Sequence, residues 1–150
     1  LIIDETNQIN YKFYMNFQES LSVCLLKKYA NFNGRASRPE FWFFYLAAFI
    51  YMFVGGFFLG LLGVSDAAGG TAILVLLIPI IIPSIAVTAR RLHDVNQSGW
   101  MQLIFYPGFM ADEFLGTGYV IYILTLALWA FWFSRAGKKG KNRFGAQPRK

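Results

Sequence analysis

Trp100-Met101-Gln102-Leu103-Ile104-Phe105-Tyr106-Pro107-Gly108-Phe109-Met110 decides how many times this chain crosses a membrane. The run is uncharged but only 11 residues long, against the ~20 that a helix needs to span a bilayer. Around it stand three longer uncharged blocks: Phe41–Val64 of 24 residues, Ala67–Ala89 of 23 and Phe114–Ser134 of 21. Each of those is long enough on its own. The short run therefore settles whether the chain crosses three times or four.

Charge placement answers the question. Of the 14 Lys and Arg, five precede Phe41, two are Arg90 and Arg91, and seven lie from Arg135 onward. The connections at Ser65-Asp66 and Asp112-Glu113 hold none. Basic residues stay on the cytoplasmic side during insertion. If the short run crosses, all 14 lie inside; if it does not, the seven-charge tail must be exported. The tryptophans agree, because Trp favours the membrane interface. Trp42, Trp100, Trp129 and Trp132 then all fall toward the basic side.

The expected fold is an all-α membrane protein with four transmembrane helices, near 41–64, 67–89, 98–111 and 114–134, and both termini cytoplasmic. Pro107-Gly108 is expected to break the third. A half-helical, half-extended path would still cover nearly the ~30 Å apolar core, at ~1.5 and ~3.3 Å per residue. Irregular backbone at that depth needs shielding by protein, so this segment is expected against its neighbours rather than at the lipid face.

Composition fits a bilayer. The chain is 56% hydrophobic, 19% aromatic and 15% charged, where soluble domains carry about 25% charged residues. The 150 residues suffice for one domain, expected over 15–148. The chain starts with Leu1, and Met15 offers a natural start, so residues 1–14 are expected to be an upstream or flexible arm. No apolar core followed by small residues occurs in the first forty positions, so the first span is expected to act as its own insertion signal.

Asn16 and Glu19 have capping-box spacing, and Phe17, Leu21, Cys24, Leu25 and Phe32 recur near helical period. This predicts an amphipathic helix on the cytoplasmic face, with Cys24 as a small apolar residue. Ser37 and Glu40 form a second capping box, with Pro39 in the first turn of the span that follows. The tail 135–150 is basic and rich in glycine, and disorder is expected at its end.

Three stretches carry a resemblance: Phe32-Asn33-Gly34-Arg35-Ala36-Ser37-Arg38-Pro39-Glu40-Phe41-Trp42, then Arg90-Arg91-Leu92-His93-Asp94 with Ser98-Gly99-Trp100, and Asn142-Arg143-Phe144-Gly145 with Pro148. Together they resemble the bacterial inner-membrane proteins grouped as domain of unknown function 805, the YhaH/YhaI-like proteins. The resemblance implies a multi-span protein of the bacterial cytoplasmic membrane. It implies no activity, and no catalytic residues come with it.

The polar residues of these stretches are the candidate site: Arg35, Arg38, Glu40, Arg90, Arg91, His93, Asp94, Asn142 and Arg143. The derived topology puts them all at one rim. Ion pairs and caps that fix how the helices emerge are one reading. An anionic lipid headgroup site is another, since arginine forks bind phosphate. Catalysis by His93 and Asp94 is disfavoured, because adjacent helical residues point about 100° apart. A lone His and a single Cys match no metal spacing, and neither cofactor nor nucleic-acid partner is expected. The alternative is a small transporter or channel-like protein. The spans hold few polar side chains for a path, mainly Gln102, Ser84, Thr88, Thr117 and Thr125. Pro79 and Pro83 offer a kink. Gly56 and Gly60 have small-xxx-small spacing, suited to packing on the second span or on another copy of the chain.

Overall fold

The computed structural model describes residues 15–64, 66–116 and 119–148; the arm expected at 1–14 and the last two residues of the tail lie outside them. The described residues are helical, with no β-strand beyond one isolated bridge between Asn142 and Gly145. We number the α-helices α1 (Phe17–Leu21), α2 (Arg38–Leu61), α3 (Asp66–Asp94), α4 (Tyr106–Leu115) and α5 (Val120–Ser134). A π-helical stretch, Ser22–Lys27, continues α1, and a 3-10 helix, Gly99–Phe105, leads into α4. Helices α2 and α3 are long and apolar enough to cross a membrane, and α5 is a shorter apolar helix. Contacts divide the chain into two units, one built on Pro39–Val87 with the N-terminal helix and one on Asn33–Arg38 with Thr88–Pro148.

In the first unit, Asn16 caps α1 as its spacing predicted, accepting from the Glu19 amide at 2.8 Å. The helix then widens, with the Lys28 N–H donating to the Val23 carbonyl, and stops. Phe32 is therefore not on this helix, a correction to the amphipathic pattern, and it is exposed. Ser20 and Cys24, one turn apart, are both fully buried. The Ser20 hydroxyl donates to the Glu40 carbonyl at 2.8 Å, and the Cys24 thiol lies 4.0 Å from Glu40 Oε1. Cys24 thus sits beside a buried carboxylate rather than in a purely apolar setting.

Helix α2 opens directly after Ser37, with Pro39 in its first turn, where a missing N–H costs little. It ends in a Schellman motif on Gly63 (φ +61°): the Val64 N–H reaches the Leu59 carbonyl and the Gly63 N–H that of Gly60. Gly55 makes the close helix approach, since a Cβ there would lie 2.7 Å from Leu76 Cδ1. A Cβ at Gly56 or Gly60 would meet open space, so neither packs on α3. Helix α3 runs unbroken through Pro79 and Pro83, and Ser84 Oγ donates back to the Ile80 carbonyl at 2.6 Å. Phe49, Phe53 and Ile78 are each at least 65% exposed. Such apolar rows are costly in water and suit hydrocarbon.

The second unit corrects the expected third and fourth segments. Pro107-Gly108 does not break the chain: Pro107 is the second residue of α4, where proline is tolerated, and helix continues to Leu115. Seven 3-10 residues at ~2.0 Å and ten α residues at ~1.5 Å give about 29 Å, with no extended stretch needed. This backbone meets its own hydrogen bonds, so the shielding expected for irregular chain is not required. One face is exposed at Trp100 and Ile104, while Phe105 and Phe109 pack against α5, the neighbour contact expected of this segment.

The turn expected at Asp112-Glu113 lies inside α4. It falls instead where Gly116 (φ +60°) and Tyr119 (φ +67°) adopt left-handed conformations, so α5 begins at Val120 rather than Phe114. Helix α5 runs antiparallel to this segment. Phe105 meets Trp132 and Phe133 at 6.1 and 5.9 Å, and Phe109 meets Tyr122 at 5.6 Å. Thr125 lies so close to Gly108 that a Cβ there would sit 2.2 Å from its hydroxyl.

Candidate functional site: a clamp on Asp94

The site is built within the second unit, where α3 stops. Asn96 (φ +64°) terminates the helix as an asparagine Schellman cap, with the Asn96 N–H bonded to the His93 carbonyl and Gln97 to Leu92. Its last residue, Asp94, keeps both carboxylate oxygens inside the protein. Oδ1 accepts from Arg35 Nε at 2.9 Å and lies 2.8 Å from Nη2, while Oδ2 accepts from Arg91 Nη1, one turn back on the same helix. The three side chains are 1–5% exposed.

Two guanidinium groups share one carboxylate, which leaves a positive excess. Main-chain carbonyls at the end of α5 and in the segment after it absorb this excess. Arg35 Nη1 donates to the carbonyls of Gly140 (2.5 Å) and Gly145 (3.4 Å), and Nη2 to that of Lys138. Arg91 Nε donates to the Phe133 carbonyl at 3.0 Å and Nη2 to that of Arg135. The Lys138 N–H in turn donates to the Asp94 carbonyl at 2.9 Å. Every nitrogen of both guanidinium groups is thus engaged inside the protein. Gly137 allows the approach: a Cβ there would lie 1.9 Å from Asp94 Oδ2.

His93 faces a different side of the same junction. Its Nδ1 is 3.0 Å from the Gly34 carbonyl, and its ring stacks on Phe144 with centroids 3.8 Å apart and planes within 5°. Gly99 packs beneath, where a Cβ would be 3.4 Å from Nε2 and 2.9 Å from the Ala89 Cβ. Asn142 Nδ2 donates to the His93 carbonyl at 2.8 Å, and Asn142 Oδ1 accepts from the Phe144 amide at 2.9 Å. Mutual main-chain bonds between Asn142 and Gly145 close this turn at 3.0 and 3.1 Å. Arg143 covers the Phe144 ring at 4.6 Å and donates to the Asn96 carbonyl at 3.2 Å.

Six of the nine predicted residues therefore join one network: Arg35, Arg91, His93, Asp94, Asn142 and Arg143. Arg90 is buried alongside, and its carbonyl accepts from the Ala36 N–H at 3.0 Å. Arg38 is exposed, and Glu40 belongs to the first unit with Ser20 and Cys24. The sequence reading missed Gly137, Phe144 and the carbonyl acceptors of 133–145. The Gly137-Lys-Lys-Gly140 spacing was a usable signal for close backbone approach; carbonyl acceptors leave no mark in a sequence.

Residues 29–146, which contain the whole clamp, match the family described as "Protein of unknown function (DUF805)". The chain belongs to this family. Among DUF805 relatives it is similar to inner membrane protein YhaH of Escherichia coli (strain K12), with 38% identity over 127 residues, covering 83% of this chain and 93% of that protein. Inner membrane protein YhaI of the same strain is 29% identical over 131 residues, covering 85% and 93%. No solved structure matches. The chain is thereby placed with bacterial inner-membrane proteins, as its resemblance implied.

Proposed function

We propose that this chain is a four-span inner-membrane protein with both ends cytoplasmic. In this reading it serves a structural or accessory role, and the Asp94 clamp fastens its helix ends at a rim that touches anionic headgroups. One observation carries the reading: Arg35 before α2, Asp94 closing α3 and the segment after α5 are bonded to each other. Chain that leaves this junction after Asp94 and returns to it at Phe133 must run out and back. The antiparallel pair formed by 99–115 and α5, with about 29 Å in its first arm, has the length for that path. The positions of the basic residues and tryptophans support the same orientation.

The clamp favours structure over phosphate capture at Arg35 and Arg91, because their donors already have carboxylate and carbonyl acceptors. His93, stacked and hydrogen bonded, has the surroundings of a packing residue. Ser84 spends its hydroxyl on the Ile80 carbonyl of its own helix and Thr125 packs against Gly108, rather than lining a path, and Thr117 lies outside the described residues. Single-cysteine variants in a Cys24→Ala background test the topology with an impermeant maleimide. Val64→Cys and Leu115→Cys should label in intact cells, and Asn96→Cys and Lys139→Cys only after permeabilisation. A protected Leu115→Cys together with a labelled Lys139→Cys overturns four crossings.

A further inference from the structure

The segment after α5 looks, by composition, like a flexible basic tail, with glycine at 137, 140 and 145 among seven positive charges from Arg135 onward. Its backbone is instead held at many points. The carbonyls of Arg135, Lys138, Gly140 and Gly145 all accept from Arg35 or Arg91, as does that of Phe133 in the last turn of α5. The Lys138 N–H is bonded to Asp94, the Gly140 N–H to Gln147 Oε1 at 2.9 Å, and Asn142 to His93. On the segment's side these bonds use main-chain atoms and the side chains of Asn142 and Gln147. They leave the side chains of Lys138, Lys139, Lys141 and Arg143 exposed along a fixed backbone.

We infer that residues 138–143 form an ordered basic platform, held by the Arg35–Asp94–Arg91 clamp, that binds the anionic phospholipid headgroups around the helix ends. The inference rests on the topology and lipid contact proposed above. Position selects this partner. Lys138 is bonded to the last residue of the 29-residue helix α3, and Arg135 directly follows α5. The lysine ammonium groups are therefore carried within a few residues of where two apolar helices end. That is headgroup depth, inside the ~8 Å screening length of physiological salt, and lysine stems extend readily along such a boundary. A lysine near an anionic leaflet favours association by about fivefold. Holding the backbone beforehand removes the ordering cost that a loose basic segment would meet on binding.

Arg35 and Arg91, whose guanidinium forks could otherwise hold a phosphate, are thus used to shape the chain, and the lysines, which act as point charges, are left to meet the lipid. This division of labour predicts that headgroup preference depends on the clamp as well as on charge.

The test uses the full chain reconstituted in mixed phosphatidylglycerol–phosphatidylcholine vesicles. One readout is the preference of spin-labelled phosphatidylglycerol over phosphatidylcholine at the protein surface; the other is amide exchange across 138–145. Gly137→Ala adds one methyl against Asp94 and changes no charge, and Asn142→Ala is a second neutral variant if the first does not fold. The triple variant Lys138→Gln, Lys139→Gln, Lys141→Gln removes the charges. The platform predicts that the neutral variants speed exchange and lower the lipid preference by roughly threefold or more, approaching the triple variant. Faster exchange with full preference in the neutral variants, beside a loss in the triple variant, overturns the platform and leaves headgroup contact standing. Unchanged exchange in both neutral variants overturns the clamp as the source of order. Full preference in the triple variant overturns the headgroup contact itself.

Discussion

Replacing Asp94 by asparagine keeps the shape of the clamp and removes its charge. A carboxylate offers two acceptor oxygens, whereas an amide offers one acceptor and one N–H₂ donor. Asp94 uses Oδ1 for Arg35 and Oδ2 for Arg91. Whichever way the new amide turns, one guanidinium faces a donor, and both lose their only carboxylate partner among the described contacts. Breaking a buried ion pair by removing one partner costs about 3–5 kcal/mol. The remaining carbonyl contacts of both arginines put this case near the lower figure, about 3 kcal/mol. For a chain of about this size each kcal/mol shifts the melting temperature by about 2–4 °C, so Asp94→Asn should melt roughly 6–12 °C below the parent. Tryptophan fluorescence on heating in detergent micelles measures this. A double-mutant cycle with Arg35→Gln should return a coupling of at least about 1 kcal/mol, since the pair lost together leaves less charge uncompensated. An Asp94→Asn protein melting within about 2 °C of the parent would refute the clamp as a stabilising element.

Three further outcomes follow from the packing. Gly55→Leu must push Leu76 aside and should cost about 1–3 kcal/mol by overpacking, whereas Gly56→Leu and Gly60→Leu should leave the melting temperature unchanged; equal losses at all three positions would refute the assigned face. If copies of the chain pair through Gly56 and Gly60, crosslinking in native membranes disappears in Gly60→Leu, and its persistence removes that face as the interface. Phe144→Ala should cost about 0.5–1.5 kcal/mol beyond the lost burial, because it removes the stacked ring from His93, and should raise amide exchange at 142–145; unaltered exchange there counts against the turn being pinned by this stack.

The helices and their approximate positions could be read from residue type, and the charge distribution carried the proposed orientation. Hydrocarbon length and the sidedness of lysine and arginine act on each residue through its own chemistry, with no partner needed. The stretches around Arg35, Asp94 and Asn142 were likewise visible as a polar set apart from the apolar blocks. Pro107-Gly108 misled because local propensity marks a break there, and Asp112-Glu113 because its charges interrupt the apolar run, while the chain continues as helix to Leu115 and turns at Gly116 and Tyr119. Beyond Asp94, the partners of Arg35 and Arg91 could not be read from the sequence. They are carbonyl oxygens, which every residue carries, and only the three-dimensional path of the chain from the end of α5 onward brings those of 133–145 to the two arginines. Composition, then, determined that this is a helical membrane protein whose basic residues stand apart from its apolar blocks. Tertiary structure decided that the buried Arg35 and Arg91 hold the chain itself, because a desolvated guanidinium must find acceptors, and beyond Asp94 the nearest ones are main chain.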